Sequence, residues 1–381
     1  MENNKLIAIV AAVVLVIAAV GVVLYMNSEE PEKKGLYKLN PVVSDVDMGK
    51  CSATPAVIIT FETMYEDYYG DLVKSDLTLA DAKADTAFWN EYCNWSSLID
   101  KQSNGTLNVT ISTGAKGTEV VNVPVCDGVV VMGTMYSETL YYLACAENNV
   151  TPYTEESYNN AAMKEYMNST IAGGMQYSYY SQNDSEYMLR LVDQSTYYDL
   201  GTNSVQSVDS EKLASALMSS KNAGHQNTIY LGSGTRISTS EHYNTNTGPC
   251  NATGSYYAFF GPSNIKDVFS CVDCIGQIMG FSDETINKVI EDIQLRLYKV
   301  YYSVQEKTEG KEPVKAYWES GSGKAVNSAM AKVILNFLGF DASMLDGAEH
   351  SLESLLVESP KYLIFYTNDG RSEDDRMRVN N

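Results

Sequence analysis

The stretch 316–330, AYWESGSGKAVNSAM, carries the residue types closest to those of a phosphate-binding loop. A Walker loop needs G-x-x-x-x-G-K-[ST], because backbone N–H groups and the lysine surround the phosphates while a hydroxyl holds Mg²⁺. Here Trp318 stands at the first glycine position and Ala325 at the hydroxyl position. The dinucleotide pattern G-x-G-x-x-G also fails, because Val326 occupies its last position. We therefore expect a flexible loop after a strand, at the strand end where α/β sheets bind ligands.

Nucleophilic and metal-dependent catalysis find little support in the sequence. The only histidines are His225 in a Gly/Asn turn, His242 in a polar stretch and His350 beside a helix cap. No G-x-S-x-G elbow and no H-E-x-x-H pattern is present. A Ser-His-Asp set could still assemble in space, because such triads are defined by geometry. The sequence predicts a protein that is not an enzyme, with no cofactor and no catalytic or metal-binding residues.

Seven cysteines, an odd number, leave at least one without an intramolecular partner. The C-x-x-C pair Cys271 and Cys274 lies in a helix-like run, and no second pair of ligands stands nearby in sequence, as a zinc site would require. Structural thiols or a disulfide are therefore favoured over metal binding.

The charge balance excludes one large class of partner. Lys+Arg number 27 and Asp+Glu 48, which gives a formal charge of −21. Such a surface repels phosphate backbones, so no nucleic-acid partner is expected. Tyrosine is frequent, at 28 residues. Its flat ring and polar tip suit wet binding surfaces, although the bias is equally typical of an organism's compositional habit.

The N-terminus predicts a membrane anchor. Residues 6–26 form an uncharged apolar run, and about 20 apolar helical residues span a bilayer core. We read residues 1–27 as a single-pass signal anchor in the cell membrane with the body of the chain on the extracellular side; an inverted topology is the alternative. Asn-x-Ser/Thr sequons give modest support for an extracellular glycoprotein, at Asn94, Asn104, Asn108, Asn149, Asn168, Asn183 and Asn251.

The remaining chain predicts an α/β protein. Residues 28–104 read as a linker and a small helical addition, with helical patterns over 54–72 and 78–95. Alternation of Leu107, Val109 and Ile111 predicts one strand of a hairpin. The polar stretch 236–255 reads as a long surface loop. Residues 282–307 form the clearest helix, capped by Ser282 and carrying one apolar stripe.

Five stretches follow one another in the chain: VVNVPVCDGVVVMGTMYSETLYYLAC, DLGTNSVQSVDSEKLASAL, the long helix, EPVKAYWESGSGK and SLESLLVESPKYLIFYTNDG. In this order they resemble the substrate-binding proteins of iron–siderophore, haem and cobalamin ABC importers. The resemblance covers roughly residues 105–370. It implies two α/β lobes joined by one rigid helix: a first lobe over 105–281, an interlobe helix over 282–308 and a short second lobe over 309–381. It further implies that a small-molecule metal chelate is held in the cleft between the lobes.

Loops at the carboxyl ends of the predicted strands supply the candidate cleft residues, and an arginine among them suits a carboxylate or catecholate. In the first lobe they are Thr134, Met135, Tyr136, Gly232, Ser233 and Arg236; in the second they are Tyr317, Trp318, Glu319, Ser322, Tyr366 and Asn368.

The resemblance also implies that acidic residues on outer helices dock onto the importer's permease. The matching positions are Asp209 or Glu211 in the first lobe and Glu353 in the second. The alternative function is a surface adhesin or sensor module that uses the same fold without transport.

Overall fold

The structure, a computed structural model, describes residues 76–132, 134–152, 155–174, 198–199, 208–319, 325–358, 360 and 362–365. The predicted membrane anchor, the linker and the predicted helix over 54–72 lie outside these ranges. Within them, no helix is both long enough and apolar enough to cross a bilayer.

The end of the predicted helical addition is helical, as the pattern over 78–95 indicates. It comprises helix α1 (Leu79–Ala84), helix α2 (Thr86–Phe88) and a π-helical turn (Trp89–Cys93). Thr78 begins α1 with a capping box, because its side chain accepts from the Asp81 N–H while the Asp81 carboxylate accepts from the Thr78 N–H. Phe88, the last residue of α2, has a fully buried side chain.

An antiparallel sheet follows, with strands β1 (Ile99–Lys101), β2 (Leu107–Thr113) and β3 (Gly117–Val123) in the order β1-β2-β3. The predicted hairpin is β2–β3. Leu107, Val109 and Ile111 are all buried, which confirms the predicted alternation. Successive strand residues point to opposite faces, so this alternation places one face of β2 in the core.

A five-stranded parallel sheet forms the centre of this part of the chain, in the order β6-β5-β4-β7-β8. Every residue of β4 is buried, as its continuous apolar run predicts for a strand covered on both faces. The elements in chain order are β4 (Gly128–Met132), α3 (Thr134–Glu147), α4 (Glu155–Asn159), α5 (Ala161–Thr170), β5 (Ile171–Gly174), β6 (Tyr198–Asp199), α6 (Ser210–Asn222), β7 (Thr228–Ser233), a 3₁₀ turn (Gly234–Arg236), α7 (Ser240–Thr253), β8 (Tyr256–Phe260) and α8 (Ile265–Ile278).

The predicted surface loop over 236–255 is wrong, because α7 occupies most of it. Thr239 caps the helix by accepting from the His242 N–H, and Gly254, at φ +62°, ends it in the left-handed conformation. Its buried side chains include Asn246, whose carbonyl oxygen accepts from the Tyr230 hydroxyl at 2.7 Å. A helix whose inner face is partly polar has no apolar stripe, so the sequence shows no helical period of hydropathy there.

The predicted long helix is confirmed as one continuous helix, α9 (Asp283–Thr308), of 26 residues. Ser282 caps it as predicted, since its Oγ accepts from the Thr285 N–H at 3.1 Å. A second parallel sheet follows, in the order β10-β9-β11. Its elements are β9 (Val314–Glu319), α10 (Ala329–Phe337), β10 (Phe340–Asp341), α11 (Leu352–Glu358) and β11 (Tyr362–Phe365).

By its internal contacts the described chain divides into two units: one of residues 89–294, the other of 76–88 together with Leu295 onwards. Each unit contains a parallel sheet, so the predicted α/β class is confirmed. The division falls inside α9, between Gln294 and Leu295. The boundaries at residues 105, 282 and 309 stay predictions.

Candidate functional site

In the unit of residues 89–294, the predicted site residues lie at the carboxyl edge of the parallel sheet. Tyr136, in the first turn of α3, donates its hydroxyl to the Gly232 carbonyl at 2.8 Å and lies 3.2 Å from the Phe260 carbonyl. One phenol thus joins the ends of β4, β7 and β8. Burial raises the pKa of Tyr136 well above its usual value, so the phenol stays a neutral donor.

Tyr136→Phe is expected to cost about 1–3 kcal/mol of unfolding free energy, because two buried carbonyl groups lose their donor. Urea denaturation followed by tyrosine and tryptophan fluorescence measures this loss. Tyr256→Phe, at a half-buried tyrosine of β8, is the matched control and should change stability by less than about 0.5 kcal/mol. Equal effects of the two substitutions would show that the Tyr136 hydroxyl does not hold this edge.

The structure brings the predicted residues Met135, Tyr136, Gly232 and Ser233 to this edge, all of them buried. Thr134 begins α3, and its side chain lies outside the described part of the structure. All four buried residues pack at the carboxyl edge of the sheet. Their contact with a ligand stays a prediction.

Arg236 lies in the short 3₁₀ turn directly after β7, half-buried. The turn of the hairpin β2–β3 holds this segment from one side: the Gly114 N–H donates to the Gly234 carbonyl at 3.3 Å, and the Ala115 N–H to the Ile237 carbonyl at 2.8 Å. The hairpin therefore fixes the backbone that carries the one cationic candidate of the predicted site.

In the unit that contains the second sheet, Tyr317 is fully buried and Trp318 is 7% exposed, both near the carboxyl end of β9. The Tyr317 ring meets the His350 ring edge-on, with the ring centres 5.4 Å apart. Ala325, Met344 and Leu355 complete the apolar cluster around Tyr317. The side chain of Glu319 and the whole of Ser322, Tyr366 and Asn368 lie outside the described residues.

Sequence reasoning placed His350 beside a helix cap and missed its partners. Its Nε2 lies 3.1 Å from an Asp346 carboxylate oxygen, and its Nδ1 lies 3.5 Å from the Ser354 Oγ. The Ala348 backbone N–H, and then the His350 ring, lower the pKa of the Asp346 carboxyl, so Asp346 is an anion that orients the imidazole. The spacing D-x-x-x-H-x-x-x-S was the available signal.

These groups form a Ser-His-Asp set, which the sequence had left open. An activated nucleophile lies about 2.6–3.2 Å from its base, and Ser354 is farther from His350 than that. Asp346 therefore orients the imidazole of His350, but Ser354 is not placed as an activated nucleophile.

The other two histidines lie elsewhere. His225 Nδ1 is 2.7 Å from the Ser220 Oγ, which is in turn 2.8 Å from the Thr228 Oγ1, where β7 begins. Because the strands are parallel, the start of β7 lies at the edge opposite to Tyr136. His242 Nδ1 lies 3.3 Å from the Ser238 Oγ at the start of α7.

The described cysteines are all buried free thiols: Cys93, Cys126, Cys145, Cys250, Cys271 and Cys274. Cys51 lies outside the described residues. Of the two favoured states, structural thiols or a disulfide, this part of the chain shows thiols. It also contains no cluster of three or more His, Cys, Asp or Glu residues fit to hold a metal ion.

These thiols should resist modification in the native protein. Burial raises the pKa of Cys93 and Cys145 to about 12, and at pH 8 such a thiol is thiolate in roughly one molecule in ten thousand. With Ellman's reagent at pH 8 we expect at most one rapidly reacting thiol per native chain and seven after unfolding in guanidinium. Rapid native reaction of two or more thiols would contradict this burial.

Of the candidate docking residues, Asp209 caps helix α6, since its carboxylate accepts from the Glu211 N–H at 3.0 Å and the Lys212 N–H at 3.1 Å. Both Asp209 and Glu211 are exposed. Glu353 is the second residue of α11, and its side chain lies outside the described part. Asp209 thus has a capping role of its own, and the docking role of all three residues stays a prediction.

Three solved structures illustrate what this chain is similar to. The iron uptake ABC transporter substrate-binding protein PiuA from Streptococcus pneumoniae is 14% identical, with a TM-score of 0.43, over 71% of this chain and 78% of its own. The siderophore binding protein BauB, bound to ferric iron and two molecules of acinetobactin, is 15% identical, with a TM-score of 0.42, over 68% and 76%. A periplasmic binding protein from Veillonella parvula is 13% identical, with a TM-score of 0.44, over 76% and 81%.

These neighbours are of the class that the sequence resemblance named. No protein-family model and no curated protein matches the chain. Because the identities are this low and the TM-scores lie below 0.5, function has to be inferred from the chain's own residues.

Proposed function

We propose that this protein is a solute-binding protein that captures a metal chelate, namely a ferric siderophore, haem or cobalamin, and delivers it to the permease of an ABC importer. In this proposal the N-terminal run holds the protein at the outer face of the cell membrane. The chelate is bound by residues at the carboxyl ends of the parallel strands, and the chain performs no chemistry on it.

One observation carries the proposal. Helix α9 is a single continuous helix of 26 residues, and its residues up to Gln294 belong to one unit while those from Leu295 belong to the other. Each unit has its own parallel sheet. A rigid helix between two α/β units is the arrangement that the sequence resemblance implies for this class of importer receptors. Ligands of open parallel sheets bind outside the carboxyl ends of the strands. The predicted cleft residues come from these ends.

The residue types at these edges suit a large, partly planar ligand with acidic groups. Arg236, which is half-buried, follows β7, and Trp318, 7% exposed, lies near the end of β9, whereas Tyr317 is fully buried within its own unit. A guanidinium group forms paired hydrogen bonds with carboxylate or catecholate oxygens, and aromatic faces pack on flat chelates. Haem offers a planar ring with carboxylates, a ferric catecholate offers anionic oxygens on aromatic rings, and cobalamin offers a corrin ring with a phosphodiester, which a guanidinium group also binds.

The test is a thermal-shift screen of the full-length protein in detergent against ferric catecholate, ferric hydroxamate, haem and cyanocobalamin. A ligand at 100 times its dissociation constant stabilises the native state by about 2.7 kcal/mol, which raises the melting temperature by several degrees in a chain of this size. Ferric citrate and the iron-free chelators are the controls. No shift with any of the four chelates would contradict the proposal and would favour the transport-independent surface module.

Arg236→Gln provides the matched variant for this screen. If Arg236 binds an acidic group of the chelate, the thermal shift should fall markedly in the variant when it is measured from the variant's own melting temperature without ligand. Lys212→Gln, at an exposed position of α6, is the control and should leave the shift intact.

A further inference from the structure

Within its described part, the chain passes from one unit to the other at two places. One is the division between Gln294 and Leu295 inside α9, and the other lies between Phe88 and Trp89. The chain is helical at the second place as well, because α2 ends at Phe88 and the π-helical turn begins at Trp89. The helical addition near the N-terminus therefore supplies a second connection, which we call the strap and define as residues 86–97.

On one side of the division the strap packs on α9 through an aromatic side chain. Phe88 is fully buried, and its ring centre lies 5.0 Å from those of Tyr298 and Tyr301. Burial and, after it, the charge of the Asp85 carboxylate raise the pKa of both tyrosines. The residues just before the strap thus also lie near this part of the helix.

On the other side of the division, hydrogen bonds hold the strap. Gln294 of α9 is 3% exposed, and its side-chain amide donates to the Cys93 carbonyl at 3.2 Å. The Ser97 hydroxyl donates to the carboxylate of Asp273 in α8 at 2.7 Å, and Asp273 is 6% exposed. A buried polar group that loses its partner costs free energy, so these bonds fix where the strap lies along the helix.

The contacts on both sides involve one face of α9. Gln294, Tyr298 and Tyr301 follow the spacing i, i+4 and i+7, which places them on the same side of a helix. The strap therefore lies along this face on both sides of the division before Leu295. Packing within a single unit would need contacts on one side only.

We propose that the strap is a second structural connection that keeps α9 helical where the chain passes between the units, and that it thereby restricts rotation of one unit against the other. The sequence resemblance implies a single helix as the connection, so this role is additional to it. If α9 opens between Gln294 and Tyr298, the bond to Cys93 or the packing of Phe88 must also be lost, which makes the opening less favourable. The inference goes beyond the proposed function and does not depend on which ligand is bound.

The first experiment measures amide hydrogen exchange along α9 in the full-length protein in detergent. Phe88→Ala should speed exchange of residues 290–294, in the unit that Phe88 does not belong to, by about tenfold or more. Ser97→Ala should likewise speed exchange of residues 298–301 by about threefold or more. Faster exchange only in the unit that carries the substitution would overturn the inference.

Lys288→Gln is the matched control, because it detaches α9 from α3 and leaves the strap intact. The Lys288 ammonium donates to the Asn149 Oδ1 at 2.7 Å and to the Ala146 carbonyl at 3.2 Å. Exchange of residues 298–301 should be unchanged in this variant. If it rose as much as in Ser97→Ala, α9 alone would transmit the effect and the strap would not be needed. Phe88→Leu, expected to act in the same direction with a smaller effect, serves if Phe88→Ala does not fold.

The second experiment measures the motion between the units by pulsed electron paramagnetic resonance. Spin labels are attached through Lys212→Cys in α6 and Asn336→Cys in α10, both at exposed positions, in a Cys51→Ser background. The six described native thiols are buried and should not react. The distance distribution should be about twofold wider in Phe88→Ala than in the wild type and unchanged in Lys288→Gln. Equal widths in all three proteins, or equal widening in both variants, would overturn the inference. Because no ligand is present, the chelate screen and this inference can fail independently.

Discussion

Replacing Gly234 with alanine is expected to destabilise the unit of residues 89–294 by about 3 kcal/mol or more. A Cβ at this position would collide with the backbone carbonyl oxygen of Ser112, at the end of β2. Backbone of a paired strand cannot rotate away as a flexible side chain can, so the turn after β7 or the hairpin must move. The free energy of unfolding from hydrogen exchange of the slowest amides in β4 and β7 measures this cost.

Gly248→Ala is the matched control. Gly248 lies inside α7, is exposed, and an added Cβ there has no heavy atom within 4 Å. Alanine favours helix over glycine, but Pro249 follows, and a proline ring disfavours helical backbone for a preceding residue that carries a Cβ, so the two effects offset and this variant should stay within about 1 kcal/mol of the wild type. If Gly234→Ala were as stable as Gly248→Ala, the hairpin would not lie against the turn after β7 as the structure has it.

Phe88→Ala is expected to have the second large effect, a loss of about 3–5 kcal/mol from the unit that contains the second half of α9. The Phe88 side chain is fully buried, and its ring centre lies 5.0 Å from those of both Tyr298 and Tyr301. Truncation removes the ring from both contacts and leaves a cavity beside the helix. Hydrogen exchange of the amides of residues 298–305 should accelerate by two orders of magnitude or more, by about tenfold for each 1.4 kcal/mol.

The comparison for Phe88 is Val120→Ala, which shortens an exposed side chain of β3 and should leave the exchange of α9 unchanged. Phe88→Leu should fall between the two, because it keeps apolar volume but loses the ring contacts. If α9 exchanged equally fast in wild type and Phe88→Ala, residues 79–93 would not stabilise the helix. Because the chain has two units, a single global melting temperature would not isolate this effect.

Elements with a strong local period could be predicted from the sequence. The alternation of Leu107, Val109 and Ile111 gave β2, and the apolar stripe and Ser282 cap gave α9 to within one residue at its start. Strands that are buried on both faces, such as β4, show up as uninterrupted apolar runs. In each case the residues that determine the element lie within one turn or one strand of each other.

Helix α7 could not be predicted in this way. Its stabilising contacts join residues such as Asn246 to Tyr230, on another element, and Tyr243 to Glu119, on the hairpin. A buried face that is satisfied by hydrogen bonds instead of apolar packing leaves no period in hydropathy. The same polarity made the segment look like a loop.

The sequence by itself determined the acidic surface, the α/β class, the long helix and the positions of the strand ends where ligand contacts were predicted. Only the tertiary structure decided that Tyr136 joins the ends of β7 and β8, which lie 96 and 124 residues away along the chain, and that His350 packs on Tyr317. Local preferences act over a few residues, whereas these contacts depend on how distant segments pair and pack. The residue type alone does not distinguish Tyr136 from any other buried tyrosine. The packing of distant strands does, because it brings the Gly232 and Phe260 carbonyls to the Tyr136 hydroxyl.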